Sequence, residues 1–120
     1  MQLTENFNSS EFDSPDLPSS GANMSLPFVF KLQEARKIAN TPFIITSGYR
    51  TKKHNAVVGG VTNTAHMVGK AADIACDVSY MRYKILMGLL SVGFSRIGIY
   101  STYIHVDDDK SKPAEVIFVG

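Results

Sequence analysis

The chain has 120 residues, 44% of them hydrophobic, which is enough to enclose one core and too few for two; residues 1–120 are therefore expected to form a single domain. Twelve lysines and arginines against eleven acids leave a net charge of +1. That balance excludes the strong one-signed field that steers a protein to nucleic acid or to an anionic membrane surface. The lone Cys76 excludes an internal disulfide, and no stretch approaches the ~18 apolar residues of a membrane span.

Residues 1–24 are rich in Ser, Asn, Asp and Pro. They predict an extended arm, pinned by Phe7, Phe12 and Leu17 and otherwise an appendage. The arm shows no basic stretch followed by an apolar run, so no signal peptide is expected and synthesis is expected in a reducing cytoplasm. After Ser25, the residues Leu26, Val29, Phe30, Leu32, Ala35 and Ile38 recur at helical spacing, with Pro27 where a first turn tolerates it. The pattern predicts a helix over 26–39.

"PFIIT" (42–46) predicts a short buried strand closed by Ser47 and Gly48. From Tyr49 to Val68 no period is sustained and the "VGGVTNT" centre is turn chemistry, so this stretch reads as a long loop with a functional purpose. "KAADIACDV" predicts a strand over 71–76. "SYMRYKILMGLLSVGF" predicts a helix begun by Asp77 or Ser79 and stopped by Gly93. Three short strands finish the chain, "RIGIY" (96–100), "YIHVD" (103–107) and "AEVIFV" (114–119), the first two paired as a hairpin across Ser101 and Thr102. The class is α+β, with two principal helices on one face of a mainly antiparallel sheet.

The two-residue period of 103–107 puts Tyr103, His105 and Asp107 on one face and Ile104 and Val106 on the other. On 71–76 it groups Ala71, Asp73 and Ala75 opposite Ala72, Ile74 and Cys76. His66 precedes Asp73 by seven residues. On one continuous strand that odd spacing would oppose them, but Gly69 lets the chain bend so that His66 folds back over Asp73. Two imidazoles and one carboxylate suit tetrahedral zinc with the fourth position left for water; a structural zinc would want four ligands, usually cysteines. Spacing alone leaves a plainer reading open, in which His66 is a solvated or capping residue and Asp73 caps a turn. His54, in the turn-rich "TKKHN", is assigned to that plainer class.

"SGYRTKKHNAVVGG", then "NTAHMVGKAADI", then "RIGIYSTYIHVD" together resemble the M15 zinc peptidases, the D-Ala-D-Ala carboxypeptidase-like group, and in particular its small phage-type members. The resemblance covers about residues 42–108, with a weaker echo in "NSSEFDS". It implies a hedgehog/DD-peptidase-like fold and one Zn2+ ion held by His66, Asp73 and His105. It also implies substrate contacts from Arg50, whose guanidinium fork suits a carboxylate, and from the hydroxyl of Thr64.

The substrate implied is peptidoglycan, cut at an amide of the stem peptide or cross-bridge, by a monomer that neither binds nucleic acid nor inserts in a membrane. A phage endolysin made in the host cytoplasm and acting on the cell wall fits these features. The chain departs from the family at one position: the acid three residues before the last zinc histidine is here Thr102. Asp107 is the expected replacement as catalytic carboxylate, its alternative role being to hold the His105 ring; Glu11 and Asp13 of the arm are further candidates. Two rival classes are a non-haem iron oxygenase, which also uses two histidines and a carboxylate, and a non-catalytic, zinc-containing cell-wall-binding module or virion component.

Overall fold

The alternation in "YIHVD" places its segment at the middle of the molecule. Ile104 and Val106 are fully buried, while Tyr103, His105 and Asp107 turn to the other side and border a cleft. In the computed structural model, which describes every residue from Met1 to Gly120, five strands make one sheet. They are β1 (Ile45–Ser47), β2 (Ala71–Ala75), β3 (Arg96–Ile99), β4 (Tyr103–Asp107) and β5 (Val116–Val119), in the order β1-β2-β4-β3-β5. All pairings are antiparallel except β3 with β5. The result is the α+β class expected.

Helix α1 (Leu26–Ala39) has the predicted limits because its ends are chemically marked. The Ser25 hydroxyl accepts the Phe28 N–H, Pro27 occupies the first turn, and Asn40 leaves the helix at φ 51°. Helix α3 (Ser79–Ser91) packs against it. Leu32 and Ala35 of α1 and Ile85 and Leu89 of α3 join Ala72, Ile74, Ile104 and Val106 of the sheet in one core. With the helices covering that face, the opposite face of β2 and β4 is left to carry the polar residues. No helix is long and apolar enough to cross a membrane.

Two expectations need correction. The first is that the N-terminal arm is an appendage. Phe7 and Phe12 are 0% exposed, with ring centroids 5.5 Å apart, whereas Leu17 is 47% exposed and pins nothing. The arm folds into two 3-10 turns, Ser9–Phe12 and Ser20–Asn23. Asn8 and Glu11 close the first as a reciprocal capping box. Asp13 takes the Gly21 N–H at 2.7 Å and the Ser19 N–H at 3.1 Å. Much of its polar composition therefore serves local capping.

The second correction concerns 49–68, which is not one loop. Thr51 accepts the His54 N–H and starts a helix α2 (Lys52–Val57), and a 3-10 turn follows at Ala65–Val68. Six residues are too few to show a period, so only the cap could have signalled α2.

Candidate metal centre

Three side chains converge by three different local devices. Asp73 of β2 and His105 of β4 are direct cross-strand partners, a relation that keeps side chains on one face within contact range; His105 Nδ1 lies 3.0 Å from Asp73 Oδ1. His66 arrives from the 3-10 turn. Thr64 caps that turn by accepting the His66 N–H at 3.4 Å. Gly69 then reverses the chain into β2 with φ +71°, at a point where a Cβ would fall 2.3 Å from the Asn23 carbonyl oxygen. His66 Nε2 ends 3.3 Å from the same Asp73 Oδ1, and one ligand atom from each residue lies within 4.8 Å of the other two.

The outer atoms of both rings decide what the inner atoms offer. The Gly48 carbonyl sits 2.7 Å from His66 Nδ1. A carbonyl only accepts, so Nδ1 carries a proton and Nε2 is the atom that faces Asp73. On His105, the Asp107 carboxylate takes the Nε2–H at 2.7 Å, which leaves Nδ1 turned to Asp73. Two imidazole nitrogens and a carboxylate thus face one small volume, where only a proton or a metal cation relieves the negative potential.

The titration behaviour follows from these contacts. Burial works to raise the Asp73 carboxyl, yet the bonds from His105 and His66 hold it well below the usual carboxylate range. Burial works to lower His105, and the acceptors Asp107 and Asp73 outweigh it, so its pKa is raised. Asp107 is likewise favoured as an anion: burial would raise it, but His105, the Asp109 N–H and the Arg96 charge prevail. The donor set of two imidazoles and one carboxylate fits zinc held by three protein ligands. The centre lies in a cleft of about 670 Å3, within the range of small-ligand sites.

Arg50 lines this cleft. Its Nε donates to Ser47 Oγ at 3.1 Å and its Nη2 to Asp73 Oδ2 at 3.4 Å. Thr64, 7% exposed, also borders it. Asp107 is 3% exposed and both its oxygens are engaged, Oδ2 with His105 and Oδ1 with Arg96 Nε at 2.8 Å and the Asp109 N–H at 3.1 Å. Thr102 lies in the exposed hairpin turn outside the cleft, its carbonyl accepting the Cys76 N–H.

Glu11 and Asp13 do not reach the cleft, because both are committed to the turns of the arm. His54 sits on α2, outside the cleft lining. Tyr103 lines the cleft on the face expected for it, stacked on Tyr100 at 4.5 Å; sequence reasoning missed Arg96, Tyr100, Lys112 and Phe118. Strand pairing brings in two of them, Arg96 opposite Asp107 and Phe118 opposite Gly98, while Lys112 arrives from a turn and donates to the Asn63 carbonyl.

Fold and centre together define an α+β protein with a candidate single-metal site at the foot of a cleft. The Peptidase M15 family model matches residues 5–107, and the chain belongs to that family of zinc-dependent peptidases. No curated protein matches it. The match begins at residue 5, so the arm is part of the family's domain, in keeping with the burial of Phe7 and Phe12. Family membership also sets aside the iron-oxygenase reading.

Proposed function

We propose that this M15 peptidase hydrolyses an amide of the peptidoglycan stem peptide or cross-bridge, using one Zn2+ ion held by His66 Nε2, Asp73 and His105 Nδ1. The observation that carries the assignment is the convergence of one imidazole nitrogen from each ring on the Asp73 carboxylate, each ring turned by an acceptor on its far side. A zinc ion held there supplies a Lewis acid for the scissile carbonyl and lowers the pKa of its water toward ~7.

The chain's own residues do the rest. Arg50 uses three of its five N–H groups on Ser47, Asn55 and Asp73, and the two left over, one on each terminal nitrogen, bind a substrate carboxylate. The Thr64 oxygen accepts from His66 N–H, so its O–H is available to a substrate carbonyl. Asp107 fixes the tautomer and angle of the His105 ring. The resemblance to small phage-type members supports a monomeric endolysin, made in the host cytoplasm and acting on the wall.

A second reading, a zinc-containing module that binds wall without cutting it, draws on one observation. The only carboxylates bordering the cleft are Asp73 and Asp107, and both are already engaged. Purified sacculi incubated with the protein, with and without a chelator, separate the two. The peptidase releases new amine termini, identified by mass spectrometry of the muropeptides, and the chelator stops it. His66→Ala and Asp73→Ala lose both zinc and cleavage, while Arg50→Ala keeps zinc and loses turnover. Full activity in His66→Ala would end the zinc-peptidase reading, and wall binding with no new amines would establish the module.

A further inference from the structure

We infer that Asn55 is a positioning residue for Arg50: a buried amide clamp that sets the guanidinium at the cleft wall and ties it to the rim loop at Gly60 and Val61. The inference rests on the reading of Arg50 as the substrate-binding cation. Asn55 projects from α2 and is only 4% exposed, so both halves of its amide need partners. Oδ1 accepts from Arg50 Nη1 at 3.3 Å, and Nδ2 donates to the Val61 carbonyl at 2.9 Å. A guanidinium can only donate and a carbonyl can only accept, so the amide has one orientation.

Its backbone joins the same unit. The Asn55 N–H bonds the Thr51 carbonyl, and its own carbonyl accepts the Gly60 N–H, both at 2.9 Å. Gly60 is where the loop closes over this amide. A Cβ there would fall 2.0 Å from Asn55 Oδ1 and 3.0 Å from Arg50 Nη1, so any side chain would displace the contact.

The physical consequence lies in the balance around Arg50. Asp73 attracts the guanidinium from the metal side through a long 3.4 Å contact, and Asn55 and Ser47 hold it from elsewhere. With the Asn55 acceptor removed, Arg50 is free to close on Asp73 Oδ2, which takes up N–H groups meant for substrate.

The test combines arginine Nε–H NMR signals with kinetics on soluble muropeptides, using zinc-loaded full-length protein. The Arg50 signal is identified by its loss in Arg50→Ala. Asn55→Ala and Gly60→Ala are expected to shift or broaden that signal and to raise KM on the order of tenfold, with zinc content and kcat little changed. In an Arg50→Ala background Asn55→Ala adds no further loss.

Gly59→Ala is the control. Gly59 has φ +71° and nothing within 4 Å of an added Cβ, so the substitution strains the same loop without touching the clamp, and the Arg50 signal stays in place. If Asn55→Ala fails to fold, Gly60→Ala decides, since it keeps the amide and displaces only its contact. An unmoved Arg50 signal in the clamp variants, losses that add to those of Arg50→Ala, or an equal shift from Gly59→Ala would each overturn the inference. If Arg50→Ala itself keeps full turnover, the substrate-binding reading of Arg50 fails, and the NMR comparison still decides the clamp.

Discussion

The two walls of the cleft are built on different principles. On the sheet wall, Asp73 faces His105 across one strand pair, and Ala71 and Arg96 flank Asp107 across two, so hydrogen-bond ladders set every spacing. On the loop wall, residues 47–66 brace one another through single bonds: the Gly48 carbonyl holds His66 Nδ1, the His66 carbonyl accepts the Arg50 N–H at 3.1 Å, and Asn55 grips the guanidinium. The two arginines show the result. Arg96 is tied to Asp107 at 2.8 Å, bonds the Pro113 carbonyl and lies over the Phe118 ring, whereas Arg50 is held by three longer contacts of 3.1–3.4 Å. The sheet side is the more tightly tied, and the loop side carries the residues proposed above to meet substrate, Arg50 and Thr64.

The comparison breaks first at Asp107, where removing one carboxylate unlocks the His105 ring. Asp107→Ala is expected to weaken zinc about 10- to 100-fold, read by competition with a chromophoric chelator; zinc retained with turnover lost would make Asp107 the base instead. A smaller effect is expected on the loop wall. Thr64→Ala removes the cap of the turn that carries His66 and should cost about 1 kcal/mol, or about 4 °C in a thermal melt, with zinc affinity reduced less than by Asp107→Ala. Equal losses of zinc in both variants would show that the two walls are equally rigid.

The smallest effect is the one with pH. In chelator-treated protein, His105 has a raised pKa, so the stability it contributes is complete below the ordinary value of 6.5 and is lost as pH rises through the raised one. Asp73 and Asp107 have lowered values, so their contribution is present above 3.8 and lost as pH falls through them. Zinc competes with the proton for His105, so the rise in Tm on adding zinc should grow with pH through the His105 window. Melts with and without zinc from about pH 5 to about pH 9 check this; an increment independent of pH would remove His105 from the ligand set.

Legibility tracked how local each signal was. Helix α1 could be read to its ends because Ser25, Pro27 and Asn40 mark them within the chain. The faces of β4 could be read because alternation separates Ile104 and Val106 from His105. Helix α2 could not, being too short for periodicity, and Asn55 went unnoticed with it. Arg96 went unread although the two-residue turn at Ser101 and Thr102 already sets it opposite Asp107, whereas Phe118 enters only through the parallel pairing of β5 with β3, whose register no local signal states.

By itself, then, the sequence determined the class of fold, the outward face of each central strand and the identities of His66, Asp73 and His105 as a candidate ligand set, since side-chain type and period are properties of neighbouring residues. Only the tertiary structure decided that these three atoms meet, that Gly48 and Asp107 orient the two rings, that the arm belongs to the core, and that Arg50 leans on Asp73 while Arg96 leans on Asp107. Those outcomes depend on which segments become neighbours in space, and that is settled by packing and hydrogen bonding across the whole domain.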